Sequence, residues 1–156
     1  MKSALIIDVD KGAGLATAKA LGQLGYKIWI GERSQERGLA AKAELVWEGY
    51  EAEYLPLDLA DGDTILAAAE TIAASSPCLD ILVNNAGDHS FHAGTAGGLR
   101  QAAVVDGFGA AAVTRAMLPL LRRSPVGRVV NVSSPLGTFG LEASEAFPWG
   151  PLLALC

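Results

Sequence analysis

Short apolar runs alternate along this chain with longer stretches in which apolar side chains return every three or four positions. The runs Ala4–Ile7, Lys27–Ile30, Glu53–Leu57, Ile81–Asn84 and Arg128–Val132 carry little polar alternation, which is the pattern of strands buried on both faces of a parallel sheet. Between them, 13–24, 35–48, 64–74 and 99–122 have helical periodicity; Ala13, Ala16, Ala20, Leu21 and Leu24 fall on one face of the first helix. Asp63 is placed to cap the third helix, and Gly25 to stop the first. Strand–helix alternation of this kind predicts right-handed βαβ units, hence a doubly wound α/β domain with five parallel strands in the order 3-2-1-4-5. The stretch 135–156 breaks the pattern: it is rich in Gly, Pro and aromatics and ends in Leu152-Leu153-Ala154-Leu155.

The length of 156 residues fits a single domain with a real core, and a hydrophobic content of 51% argues against disorder. A net charge of −5 counts against a nucleic-acid or anionic-membrane partner. No apolar run approaches the roughly 20 residues of a membrane span. Ala4–Ile7, interrupted by Asp8, is too short for the core of a secretory leader. Cys78 and Cys156 have no metal-ligand spacing, so neither a metal nor a disulfide framework is expected, and a cytoplasmic setting is the default.

The chemistry-bearing residues collect where strands end. Lys11-Gly12-Ala13-Gly14 follows the first strand and opens the first helix, where glycines let backbone approach a pyrophosphate on the helix N-terminus. Asp8 and Asp10 lie in the same turn and suggest either solvated acids or a new acid or metal site. Asp88, His89 and His92 follow the fourth strand, at the crevice edge where open α/β sheets bind ligands. Clustered acids raise one another's pKa and a His titrates near neutrality, so Asp8, Asp10, Asp88, His89, Asp106 and Ser134 form an acid/base set. Trp29 and Trp47 read as packing residues.

The run Asn84-Asn85-Ala86-Gly87, with the glycines after the first strand, resembles the short-chain dehydrogenase/reductase family, carbonyl-reductase-like members in particular. The resemblance covers nearly the whole chain. It implies a Rossmann-like fold and a dinucleotide site comprising Lys11, Gly12, Gly14, Arg33, Asp58, Asn84, Ala86 and Gly87, with Arg33 meeting the 2′-phosphate of NADP and Asp58 near adenine. The family's Thr-Gly-x-x-x-Gly-x-Gly aligns to Ile7–Gly14, which puts Asp8 at the first glycine and Asp10 at a phosphate-contacting position. A carboxylate about 5 Å from a phosphate charge costs roughly 3 kcal/mol at an effective dielectric of about 20, some two decades in affinity.

The family's catalytic Ser matches Ser134 and its Asn position is Asp106. Its Tyr falls on Phe147 or Leu155, depending on register, and its Lys has no counterpart before Cys156; Tyr26, Tyr50 and Tyr54 all precede the fourth strand. The leading expectation is therefore a repurposed family member that performs redox-neutral acid/base chemistry on a small molecule, an isomerase, lyase or cyclase, without a cofactor. The alternative is an NADP-dependent carbonyl reductase, and a third is a non-catalytic binding subunit or remnant. Relatives cover the fifth strand with further elements, so an open edge at Arg128–Val132 also leads us to expect a homodimer.

Overall fold

The structure, a computed structural model, describes residues 1–85 and 104–132, with residues 104–106 by backbone alone. In chain order the elements are β1 (Ser3–Ile7), α1 (Gly12–Gln23), β2 (Lys27–Glu32), α2 (Gln35–Trp47), β3 (Ala52–Pro56), α3 (Gly62–Ser75) and β4 (Ile81–Asn84). A π-helical turn, Val104–Gly109, then leads into α4 (Ala110–Leu121), and β5 (Arg128–Asn131) follows. The strands form one parallel sheet in the order β3-β2-β1-β4-β5, as the alternation predicted. The chain builds outward from β1 through β2 to β3 and then returns to the other side of β1. The carboxyl ends of β1 and β4 thus flank the topological switch point.

All five residues of β1 are buried, so the sheet's centre has two apolar faces. Leu5 and Ile7 point to one face and join Leu55, Ile65, Ile72, Leu82 and Met117 beneath α3 and α4. Ala4 and Ile6 point to the other, with Ala18, Ile28, Ile30 and Leu45 under α1 and α2. The two-residue period of a strand thus feeds two helix layers at once.

Helix ends follow local chemistry. After α1, Gly25 adopts a left-handed φ of 77°, its N–H reaches the Gly22 carbonyl and the Tyr26 N–H reaches that of Leu21, a double closure that glycine makes without strain. The start of α3 corrects the sequence reading. Asp61, not Asp63, is the cap: its backbone is extended and its side chain accepts the Asp63 N–H at 2.9 Å, so the helix begins at Gly62. The last helix is not uniform either, because its described part opens with the wide turn 104–109. Gly109 there lies against Leu59, whose Cβ would be 2.6 Å from a Cβ at that position. Trp29 is buried as expected, whereas Trp47 is 87% exposed and packs no core.

β5 is exposed along its length, Val129 and Val130 included, as is Val132 just beyond it, and this edge is what the expectation of a homodimer rests on. Among the described residues no helix is long and apolar enough to cross a membrane.

One buried carboxylate ties the amino ends of the strands together. Asp80 Oδ2 accepts the Ser3 N–H at 2.8 Å and Oδ1 accepts the Ser124 hydroxyl at 2.6 Å. Its backbone N–H donates to the Ser3 carbonyl, and its carbonyl accepts from Arg128 N–H. Asp80→Ala leaves two donors without their acceptor and should cost about 2–3 kcal/mol. Ser124→Ala, which removes the donor to Asp80 Oδ1 and the acceptor of the exposed Val126 N–H, should cost about 1–2 kcal/mol. Urea unfolding checks both, and an Asp80→Ala midpoint equal to the parent's contradicts the assignment.

Candidate dinucleotide site at the switch point

The site is built where β1 must turn into α1 without leaving the sheet. The Asp8 N–H continues the ladder to the Gly31 carbonyl at 2.9 Å, and the chain then reverses through Asp8 at a φ of 61°. That is glycine's region; Asp is among the few other residues that tolerate it. Gly14 packs so closely that a Cβ there would collide with the Asp8 carbonyl oxygen and come within 2.8 Å of Asn85 Nδ2. Gly12 also has a left-handed φ, 59°, but a Cβ there would meet nothing within 4 Å. The three positions thus keep the division of labour of a phosphate-binding turn: one for the tight bend, one open to a ligand, one for helix–strand contact.

The N-terminus of α1 has no side-chain cap among the described residues. Ser34 caps α2 and Asp61 caps α3 with side-chain hydrogen bonds, but Lys11 at the N-cap of α1 makes none and the first turn carries no acid. Uncapped first-turn N–H groups and the helix dipole both favour an anion.

Around this turn the charges are unusual. Asp8, Asp10 and Glu32 each bring a carboxylate oxygen within 4.8 Å of the others. Arg37, in the first turn of α2, bonds two of them: Nη1 is 3.3 Å from Asp10 Oδ2 and Nη2 is 2.7 Å from Glu32 Oε1. The guanidinium thus supplies the positive charge that a cation would otherwise bring to these acids. Glu32 Oε1 also accepts the Ser34 N–H, which fixes the buried carboxylate at the end of β2. Burial, then the charges of Glu32 and Asp10, push the Asp8 carboxyl up to about 6 from an ordinary 3.8, with a hydrogen bond to Glu32 in the same direction and Arg37 opposing.

The structure sorts the residues singled out from sequence. Asp8, Asp10, Gly12 and Gly14 come together as predicted. Lys11 lies exposed in the same loop and Arg33 exposed just past β2. Asp58 is a turn former, its Oδ1 accepting the Ala60 N–H at 2.9 Å. Asn84 donates Nδ2 to Asn131 Oδ1 at 2.8 Å and to Thr114 Oγ1 at 3.1 Å, so its amide joins β4, β5 and α4. Its neighbour Asn85 reaches the cradle instead, donating Nδ2 to the Asp8 carbonyl at 3.0 Å. Asp106 is placed by backbone in the π-helical turn. Ala86, Gly87, Asp88, His89, His92 and Ser134 lie outside the described residues, as do the tail's aromatic and acidic residues.

Sequence reasoning missed Glu32, Arg37 and Asn85. The second Asn of the Asn-Asn pair was a usable signal for Asn85. For Arg37 there was only its place one turn after a Ser cap and five residues beyond a strand-end Glu.

Comparison with known proteins places this geometry. The short chain dehydrogenase family model matches residues 2–147. A short-chain dehydrogenase of Penicillium roqueforti is 35% identical over 148 residues, covering 90% of this chain and 58% of that protein. Cyclopentanol dehydrogenase of Comamonas sp. is 30% identical, covering 94% and 60%. Among solved structures, a metagenomic short-chain oxidoreductase in complex with NADP superimposes with a TM-score of 0.75 at 30% identity, covering 85% of this chain and 62% of that one. A 3-ketoacyl-ACP reductase from Sinorhizobium meliloti gives 0.80 at 26% identity, covering 98% and 63%. The chain spans less than two thirds of the length of each of these proteins.

The raised Asp8 pKa makes a stability prediction. The carboxyl binds its proton more tightly folded than unfolded, so its contribution is present below about pH 4 and is lost as pH rises through about 6. For a half-exposed group, solvent screening reduces the effect to about 1–2 kcal/mol. Asp8→Asn, which keeps a side chain tolerant of the left-handed region, should gain that much on the parent between about pH 4 and pH 7.5 in paired urea titrations. A constant difference across that range contradicts the charge assignment.

Proposed function

Since the chain belongs to the short-chain dehydrogenase family, we propose that it binds NADP(H) at the β1–α1 turn and serves as an oxidoreductase interconverting a carbonyl and an alcohol on a small molecule. The observation that carries this reading is the uncapped N-terminus of α1 behind the open, left-handed Gly12. First-turn N–H groups there would hold the diphosphate, and Asn85 holds the turn they belong to. At the end of β2 a lone carboxylate would favour a free ribose hydroxyl and a cation a 2′-phosphate. Glu32 is engaged by Arg37 and the Ser34 N–H, which leaves the exposed Arg33 beside it to receive the phosphate.

Bound NADP(H) supplies or accepts the hydride. The proton that accompanies it needs another donor, and the three tyrosines do not offer one. Gly22 leaves room for the Tyr50 ring, whose nearest atom would be 2.7 Å from a Cβ there, and Gly38 similarly makes room for that of Tyr54. Tyr26 packs against the core beneath α1 and α2. Ser134 fits the expected role of holding the substrate oxygen. The redox-neutral expectation draws less support: its relatives by name are dehydrogenases and reductases, and two of its six groups, Asp8 and Asp10, belong to the loop that would wrap the diphosphate.

Titration with NADP⁺ and NAD⁺ tests the reading. The parent should bind NADP⁺ weakly at about pH 7.5, because two carboxylates lie in the cradle. The double variant Asp8→Gly with Asp10→Ser should bind about a hundredfold more tightly. Adding Arg33→Ala to it should cost about tenfold for NADP⁺ and little for NAD⁺. A double variant that binds neither nucleotide, while folded by circular dichroism, defeats the proposal.

A further inference from the structure

The dinucleotide reading leaves a surplus of negative charge unexplained. Three carboxylates converge on the turn, and one guanidinium bonds two of them. The third, Asp8, stands at the bend where a glycine would serve the backbone equally well.

The described groups that act on the Asp8 carboxyl come from three places. Asp10 stands on its own loop, Glu32 at the end of β2, and Arg37 on α2. Just past β4, the uncharged Asn85 donates to its carbonyl. From β3, Tyr54 stands near Glu32, and burial together with that carboxylate raises its phenol's pKa. Protonated, Asp8 can donate its hydrogen to Glu32 and turn a repulsive pair into a hydrogen bond. Ionised, it faces two carboxylates and adds a negative charge to the turn whose backbone packs on Gly14 in the first turn of α1.

Building on the dinucleotide site proposed above, we infer that Asp8 is a proton-operated gate on that site, admitting the diphosphate when its carboxyl is protonated and repelling it when ionised. The gate converts a change in pH into a change in cofactor occupancy without moving the backbone. Its working range follows from burial and from the Glu32 and Asp10 charges, which set the Asp8 carboxyl at about 6. Binding above that pH must take one proton from solvent, so affinity should fall by up to about tenfold per pH unit. The fall is bounded at roughly a hundredfold by the phosphate–carboxylate repulsion itself.

Calorimetric titration with NADP⁺ between about pH 5 and pH 7.5 tests this on the full chain, using the parent and Asp8→Asn. NADP⁺ carries a titrating 2′-phosphate, so the quantity read is the ratio of the two affinities at each pH, from which the ligand's own titration cancels. The ratio should be near one at about pH 5 and reach about thirtyfold in favour of Asp8→Asn at about pH 7.5. Repeating the pH 7.5 titration in buffers of different ionisation enthalpy should show proton uptake by the parent that exceeds the variant's by about 0.7 per site. A ratio that does not change with pH overturns the gate, as does equal proton uptake by the two proteins. The Asp8→Gly with Asp10→Ser protein separates this from failure of the site: if it binds while the ratio stays flat, the gate alone is wrong. If no protein binds at any pH, the dinucleotide reading falls and the gate with it.

Discussion

The packing of the first turn of α1 against the carboxyl end of β1 is the constraint on which the site depends. Gly14 faces the Asp8 carbonyl at a distance no side chain permits. Because the helix lies that close, the chain between has only a few residues in which to reverse, and Asp8 and Gly12 both take left-handed conformations. The same contact sets the uncapped end of α1 at the switch point of the sheet, and Asn85 fastens it there from β4. Sheet order, glycine placement and anion-binding potential are therefore one arrangement rather than three.

On that backbone the charges are predominantly acidic, with Asp8, Asp10 and Glu32 converging. A non-glycine residue in the left-handed region costs roughly 1 kcal/mol, modest for Asp. Ionising it, partly buried and beside Glu32 and Asp10, is the larger effect: burial first and then those two charges push its carboxyl up. Arg37 offsets part of this by bonding Asp10 and Glu32, and Ser34 secures Glu32 through its N–H. The protein tolerates an acidic β1–α1 turn because the counter-charge comes from Arg37 in the following βα unit.

The fold was legible in the sequence because burial on both faces writes a strand such as Ser3–Ile7 as a continuous apolar run. Gly25 as a helix stop was legible for the same kind of reason, since few other residues accept its φ of 77°. Asp61 and Asp63 are equally good cap types in one acidic stretch, and only the extended backbone at Asp61 separates them. At the site, residues fixed by backbone geometry (Gly12 and Gly14) were readable, while those defined by contacts across elements were not. Asn84 and Asn85 are adjacent, yet one turns to Asn131 and the other to Asp8. Arg37 reads as an ordinary helix-surface charge until the fold brings it onto Asp10.

Amide chemical-shift mapping with NADP⁺ at about pH 5.5 tests the central claim most directly, that the β1–α1 turn is a dinucleotide cradle. Shifts should concentrate at the backbone amides of Gly12, Ala13 and Gly14 and at Arg33, leaving the amino ends of the strands around Asp80 unmoved. Saturating shifts elsewhere with the α1 amides unperturbed would contradict it.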